Sequence, residues 1–509
     1  MAKKTNIVFI TSDQQRADCY GFEGRRVRTP HLDEMARFGT RFSAAITPNL
    51  VCQPSRASIL TGLLPLTHGV SDNGIDLPPA VGAAGYGGTL SNAGYATALI
   101  GKAHFNTSHC FEPTGTPECT VSCANYPAHW HGPYMGLDHV ELMLEGHNMF
   151  PPMKPPLGHA YERWYHADGR GEERTARYRK QLPPISDAHE TFNSGLPVAW
   201  HNSTWIGNRS IDYLRLHRDS PFCLWASFPD PHHPFDAPDP WCYMHHPDEV
   251  ELPVHGEMDL ERRPWWHRAA LEGTPKMANQ RLRAFREKSS RTPKQSEAQM
   301  RALIANYYGM ISLIDHQVGR IRIALQDLGL KENTLIVYST DHGDWLGDHG
   351  LLLKGPMAYE GLLRVGMLFE GPGVPENKVV ADPVSTLDLP ATFCDYAGVT
   401  LQGKVHSRSL KPLIETDGAS RDFALSEWDL RASRCGVDLA LRTVRTKTRK
   451  LTLEKNSGAG ELYDLAQDPH EMHNRFGDPA YAKVQREMMD MIASRPDDAC
   501  EPLPQIGMA

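Results

Sequence analysis

Four short runs of the chain are almost wholly apolar: 6–11 (NIVFIT), 96–100 (ATALI), 222–228 (FCLWASF) and 334–340 (TLIVYST). A strand with one wet face alternates apolar and polar residues. These runs do not, so they predict strands of a parallel sheet covered on both faces. Between them the period changes to that of a helix. Residues 30–38 (PHLDEMARF) open with a proline suited to a first helical turn, and 203–218 lead into FCLWASF. Residues 297–328 carry Leu303, Tyr307, Met310, Ile314, Val318, Ile321 and Leu325 at three- and four-residue spacing until Gly329 stops them. Helices alternating with buried strands predict an α/β fold built on a large, mostly parallel sheet sandwiched by helices.

Two regions break this rhythm. Residues 110–198 are rich in Pro, Gly, His and Trp with little periodicity, and are read as a long insertion over the site. From about residue 421 short alternating segments follow, among them DLALRTVRTKTRKLTLEK, and then a helical stretch at 479–494. The expected organisation is a catalytic domain at 1–420 and a smaller subdomain at 421–509, with an antiparallel sheet and a terminal helix.

Composition narrows the chemistry. The 509 residues carry a net charge of −8, which gives no support for a nucleic-acid partner or an anionic membrane surface. An acidic protein that handles an anion must therefore gather positive charge locally. The opening MAKKTNIVFITSDQQ has too short an apolar run for a signal peptide, and no stretch approaches a membrane span, so a cytoplasmic location is expected. The ten cysteines are scattered. The one close pair, Cys119 and Cys123, has no second pair to complete a zinc site, and most are expected to be small buried residues.

Each apolar run ends in polar residues: Ser12, Asp13 and Gln14; Gly101, Lys102 and His104; Asp230, His232 and His233; Asp341 and His342. In open α/β sheets ligands sit outside the carboxyl ends of the strands, so the four clusters can meet in one crevice. Asp13, Gln14, Asp341 and His342 suit one hard divalent cation, with the imidazole tilting the choice from calcium towards manganese. Asp344, Asp348 and His349 follow in DHGDWLGDHG and are expected to be loop residues. Cys52 stands apart. Pro54 suits a first helical turn, which places Cys52 just before a helix N-terminus, where backbone N–H groups favour anions. Arg56 falls one turn along. A thiol so placed would have a lowered pKa and could be a nucleophile.

The stretch Cys52-Gln53-Pro54-Ser55-Arg56, with Leu60-Thr61-Gly62, resembles the C-x-P-S-R-x-x-x-L-T-G signature of the type I sulfatases and the phosphonate monoester hydrolases, in the alkaline phosphatase superfamily. NIVFITSDQ, GKAH, PHHPF, STDHGDWLGDHG, Lys354 with Tyr359 and Glu360, and ELYDLAQDPHEMHN resemble further elements of that family. The resemblance implies an alkaline-phosphatase-like fold. It also implies that a separate formylglycine-generating enzyme, reading C-x-P-x-R, oxidises Cys52 to formylglycine. The metal set would then be Asp13, Gln14, Cys52, Asp341 and His342. The hydrated aldehyde would attack sulfur or phosphorus and then re-form by expelling the group from within. Arg56, Lys102 and Lys354 would neutralise the anion, His104 would act as base, and His232, with Lys354, as acid. Asn73 sits where relatives place a substrate-contacting asparagine, although Asn-Gly also favours turns.

The first functional reading is hydrolysis of small, arylsulfatase-type sulfate esters. The second is a phosphonate monoester or phosphodiester hydrolase using the same site. Gln14 and His342 are closer to the phosphonate monoester hydrolases and some bacterial sulfatases, and His104 in GKAH leans towards sulfatases. A catalytically silent binding protein is the third, and an oxidisable Cys52 argues against it. By analogy the chain is expected to form a dimer or tetramer, with 479–509 as interface pieces.

Overall fold

The computed structural model describes residues 4–144, 151–257, 259–289 and 292–508. Eight strands form the main sheet: β1 (Asn6–Ser12), β2 (Thr40–Phe42), β3 (Ala96–Gly101), β4 (His139–Leu142), β5 (Phe222–Ser227), β6 (Thr334–Thr340), β7 (Met367–Glu370) and β8 (Lys378–Val380). Their order is β8-β2-β7-β6-β1-β5-β3-β4. β7 runs against both of its neighbours, and the other pairs are parallel. The four apolar runs of the sequence are four consecutive interior strands, β6-β1-β5-β3.

Burial on both sides explains their lack of alternation. Successive side chains still point to opposite faces. Ile7 and Phe9 join Leu99, Trp225 and Val337 in one core, while Val8 and Ile10 join Leu224, Ile336 and Tyr338 in another. The helices include α1 (Pro30–Arg37), α2 (Cys52–Thr61), α3 (Asn202–Leu216), α4 (Glu297–Asp327), α5 (Leu389–Tyr396) and α6 (Ala482–Ala493). α1, α3 and α4 supply the Val8 side, with Leu32, Ile206 and Ile314. α2 and α5 supply the Ile7 side, with Ile59 and Phe393.

A four-stranded antiparallel meander follows: β9 (Ala424–Leu430), β10 (Leu439–Arg445), β11 (Arg449–Glu454) and β12 (Gly460–Asp464). On one face Val444, Leu451 and Leu462 pack with Met488 and Ile492 of α6. On the other, Trp428, Leu441 and Tyr463 pack with Trp266, Trp345 and Tyr359. The expected helix at 479–494 is a 3-10 turn at Pro479–Tyr481 that runs into α6.

Residues 110–198 contribute to the main sheet. They supply β4, which pairs with β3 as the sheet's edge. At four residues β4 is too short to show a period. No helix among the described residues is long and apolar enough to cross a membrane.

The N-terminus of α1 shows a titrating contact. Asp315 of α4 accepts the backbone N–H groups of His31 (3.2 Å) and Leu32 (2.8 Å). Burial pushes its carboxyl up to about 7, against those two hydrogen bonds. A carboxyl raised in the folded state holds a proton that the unfolded chain has released. Stability therefore falls as pH climbs from about 4 towards 7, by up to about 1.4 kcal/mol per pH unit. Asp315→Asn keeps an acceptor and removes the titration. Its stability relative to the unaltered chain is expected to rise across that window in urea unfolding. A pH-independent difference would contradict this.

Candidate active site

The strand ends are in step. Thr11 of β1 lies opposite both Ser227 and Ser339, Ser12 opposite Thr340, and Gly101 opposite Ser227. This register brings Asp13, Lys102 and Asp341 to one edge. α2 rises from the same edge. Val51 is extended, and Cys52 is the first helical residue rather than the one before it. Pro54 lies within the first turn, and Gly62, at φ +72°, ends the helix.

Arg56, one turn along α2, is fully buried. Its Nε donates to Asp341 Oδ2 (2.9 Å), and one terminal nitrogen donates to the Lys102 carbonyl (2.8 Å) and Ser227 Oγ (2.9 Å). The other lies 3.4 Å from Asp13 Oδ2. One guanidinium thus ties the ends of β1, β3, β5 and β6. It stands behind the carboxylates and not on the cavity wall.

Asp13, Cys52, Asp341 and His342, all buried, offer ligand atoms within 4.8 Å of one another. The Cys52 sulfur lies 3.1 Å from His342 Nε2 and 3.7 Å from Asp13 Oδ1. Gln14 adopts φ +66° and donates its backbone N–H to Asp341 Oδ1 (3.1 Å) and its side-chain amide to Asp344 Oδ2 (2.6 Å). Its Oε1 is buried without a hydrogen-bond partner among the described residues. An orphaned amide oxygen beside two carboxylates and an imidazole fits a hard divalent cation. Asp344, expected to be a loop residue, is buried and orients Gln14. Asp348 instead pairs with Arg16 (2.7 Å), and His349 stacks on Tyr359 (3.8 Å).

Lys102 Nζ lies 2.5 Å from Asp13 Oδ2, and Lys354 Nζ lies 3.0 Å from the Cys52 sulfur. Burial alone would push the Cys52 thiol up. Lys102, Lys354 and His342 outweigh burial and hold it well below the usual thiol range. Asp13 follows the same pattern: burial and Cys52 push it up, and Lys102, His232 and Arg56 bring it below the usual carboxylate range.

A cavity of about 1010 Å³ opens from Cys52, and Asn73, Lys102, His104, His232 and Lys354 share its wall. Asn73 Oδ1 accepts the backbone N–H of Gln53 (3.1 Å), which fixes its position beside the start of α2. His104, at φ +54°, is pulled down to about 4 by burial, opposed by the nearby Cys52 side chain. Burial and then Lys354 pull His232 to about 4 as well. The His232 Nδ1 lies 2.7 Å from the His233 carbonyl. A carbonyl only accepts, so Nδ1 carries the proton and Nε2 the lone pair. Both imidazoles are neutral near pH 7.

The segment 505–508 runs against Asn73 and Gly74, and nothing in its composition signals that role. Ile506 N donates to the Gly74 carbonyl (2.8 Å), Phe111 N to the Ile506 carbonyl (2.7 Å) and Met508 N to the His109 carbonyl (3.1 Å). Gln505 Nε2 reaches the Asn73 carbonyl (3.4 Å). Gly74 permits this close passage: at φ +92°, a Cβ there would meet the Gly507 carbonyl oxygen at 2.2 Å. Gly74→Ala is therefore expected to displace the segment from Asn73. It should cost about 1–3 kcal/mol in urea unfolding and raise KM more than it lowers kcat. Unchanged stability and kinetics would contradict this.

Comparison with known proteins points the same way. The family model described as Sulfatase matches residues 5–399, and that described as N-sulphoglucosamine sulphohydrolase, C-terminal, matches 347–497. An arylsulfatase of Clostridium perfringens is 30% identical over 94% of this chain and 91% of its own length. A multifunctional alkaline phosphatase superfamily protein of Trinickia caryophylli is 26% identical, over 95% and 93%. The crystal structure of a phosphonate monoester hydrolase of Agrobacterium radiobacter superposes with a TM-score of 0.75 at 24% identity, covering 96% of this chain and 95% of that one.

Proposed function

The chain belongs to the sulfatase family, and on that footing we propose that it hydrolyses a sulfate monoester of a small alcohol or phenol at Cys52 in its formylglycine form. The observation that carries this reading is Cys52 at the start of α2, with Lys102, Lys354 and the Asp13–Asp341–His342 cluster around one cavity.

Sulfatases generally use a divalent cation and a formylglycine. Asp13, Gln14, Asp341 and His342, with the side chain at 52, would hold the cation, and the His342 nitrogen favours manganese. Bound there, it supplies Lewis acidity and offsets the carboxylates. The Cys52 sulfur marks the place of a formylglycine oxygen, and the hydrated aldehyde supplies the nucleophile. Cys52, Gln53, Pro54, Ser55 and Arg56 are all buried. A formylglycine-generating enzyme that reads this stretch must therefore act before the fold closes.

The chain's own side chains supply the rest. Lys102 Nζ and Lys354 Nζ flank residue 52 and bind the ester's anionic oxygens as preorganised positive groups. Asn73, beside the start of α2, orients the ester. His104 is neutral and offers a lone pair that takes a proton from the side chain at 52. His232 faces the site through Nε2. The charge of a bound substrate raises its proton affinity, and a proton held there passes to the leaving oxygen. An imidazole whose pKa is otherwise about 4 gives that proton up readily.

Gln14 and His342 favour a second reading, hydrolysis of phosphonate monoesters or phosphodiesters, which present the same monoanionic tetrahedral centre. The test is a matched pair of kcat/KM values, for an aryl sulfate and an aryl phosphonate monoester with the same phenol, on one manganese-loaded preparation. A sulfate preference above about tenfold, or 1.4 kcal/mol, supports the first reading. A phosphonate preference of that size replaces it with the second.

A further inference from the structure

The cavity extends well beyond the cluster at Cys52, and a chain of contacts leads along its wall. Gln53 N donates to Asn73 Oδ1 (3.1 Å), and Asn73 N donates to Asp72 Oδ1 (2.8 Å). The same Asp72 oxygen accepts from the Arg434 terminal nitrogen (3.0 Å) and from its Nε (3.3 Å). The Arg434 guanidinium also lies 5.3 Å from the centre of the Trp428 ring. Arg286 stands beside it, donating to the Met508 carbonyl (2.9 Å). Arg286 and Arg434 both line the cavity that holds Cys52 and Asn73. Burial first, and then the charge of Arg434, pull Arg286 down to about 9, while Asp72 acts the other way.

The reaction at Cys52 uses neither arginine, since Lys102 and Lys354 supply the positive charge there. Two guanidiniums held together against a wall repel each other, and an anion entering between them relieves that cost. Their planar forks match the paired oxygens of a carboxylate or sulfate. Asp72 cancels one of the two charges, which suits a monoanion better than a dianionic phosphate.

We propose that Arg286 and Arg434 form a second anion subsite on the leaving-group side, so that the substrate carries, besides the ester that is cleaved, a carboxylate or a second sulfate. The proposal rests on the sulfate-ester reading above and names the class of alcohol released. Asn73 lies between the two subsites. Asp72 is a positioning residue that acts through Arg434.

The test uses three aryl sulfates on the same ring: one uncharged, one with a ring carboxylate and one with a second sulfate. kcat/KM is measured on the full metal-loaded enzyme and on Arg286→Gln and Arg434→Gln. The expected ratio of charged to uncharged substrate is about tenfold or more, carried mainly by KM. Whichever charged substrate gains more identifies the anion. In each variant the ratio should collapse towards one, a readout that an overall loss of folded enzyme does not move. A ratio near one in the unaltered enzyme, or a ratio kept in both variants, overturns the subsite and leaves the chemistry at Cys52 standing. If none of the three is hydrolysed, the sulfate reading fails, and binding then decides the subsite. The unsulfated ring carboxylate should bind at least about tenfold tighter than the uncharged phenol by calorimetry, and equal affinity overturns the subsite.

Discussion

Cys52→Ala is expected to lower kcat by about 10⁴-fold or more, the scale seen when a covalent nucleophile is removed, while the protein stays folded. Position 52 is the meeting point of the site. Its sulfur lies within 3.7 Å of Asp13, His342 and Lys354, which places it to attack an ester held by Lys102 and Lys354. The fold should tolerate the change. Alanine suits the first position of α2, and the substitution removes a negative neighbour that pushes Asp13 up. Urea unfolding should shift by about 1 kcal/mol at most, as expected for a small side chain whose partners Lys354 Nζ and His342 Nε2 lie 3.4 Å from each other. Residual turnover above about 1% of the unaltered enzyme would place the nucleophile elsewhere.

The largest stability loss is expected from Arg56→Ala. Arg56, Asp13 and Asp341 are all at most 1% exposed. Removing the guanidinium leaves two buried carboxylates short of their common partner and takes away donors for Ser227 Oγ and the Lys102 carbonyl. Breaking a buried ion pair from one side costs about 3–5 kcal/mol. Arg56→Lys should recover only part of this, because one ammonium cannot reach acceptors on four strand ends. Cation affinity should fall in parallel, since carboxylates left without a counter-charge take up protons that a metal must displace. Urea unfolding and calorimetric manganese binding, both in a Cys52→Ala background that removes the modification from the comparison, check the two effects. A loss below about 1 kcal/mol would mean that the strand ends are held together by something else.

How much of this was legible beforehand depends on the strength of each local signal. The central strands were visible because burial on both faces makes them continuously apolar, and α4 because 31 residues hold one period. β2, β4, β7 and β8 were not, because three or four residues cannot establish a period. The strand-end clusters identified the crevice, since a parallel sheet with strands in register must bring such residues to one edge. What the sequence concealed is of another kind. Arg56 looked like an anion-binding side chain, but it faces away from the cavity and braces the carboxylates. Asp344 is a loop residue as expected, but its bond to Gln14 was not visible in the sequence. Asp72, Arg286, Arg434 and the segment 505–508 meet across gaps of hundreds of residues, and no short-range pattern encodes that meeting.

The most direct test of the central claim is the fraction of residue 52 present as aldehyde, read by peptide mass, against kcat for an aryl sulfate. Preparations made with and without a co-expressed formylglycine-generating enzyme would provide the range. The account predicts a straight line through the origin. Activity that does not follow the aldehyde fraction, or that persists where residue 52 is wholly thiol, would contradict it.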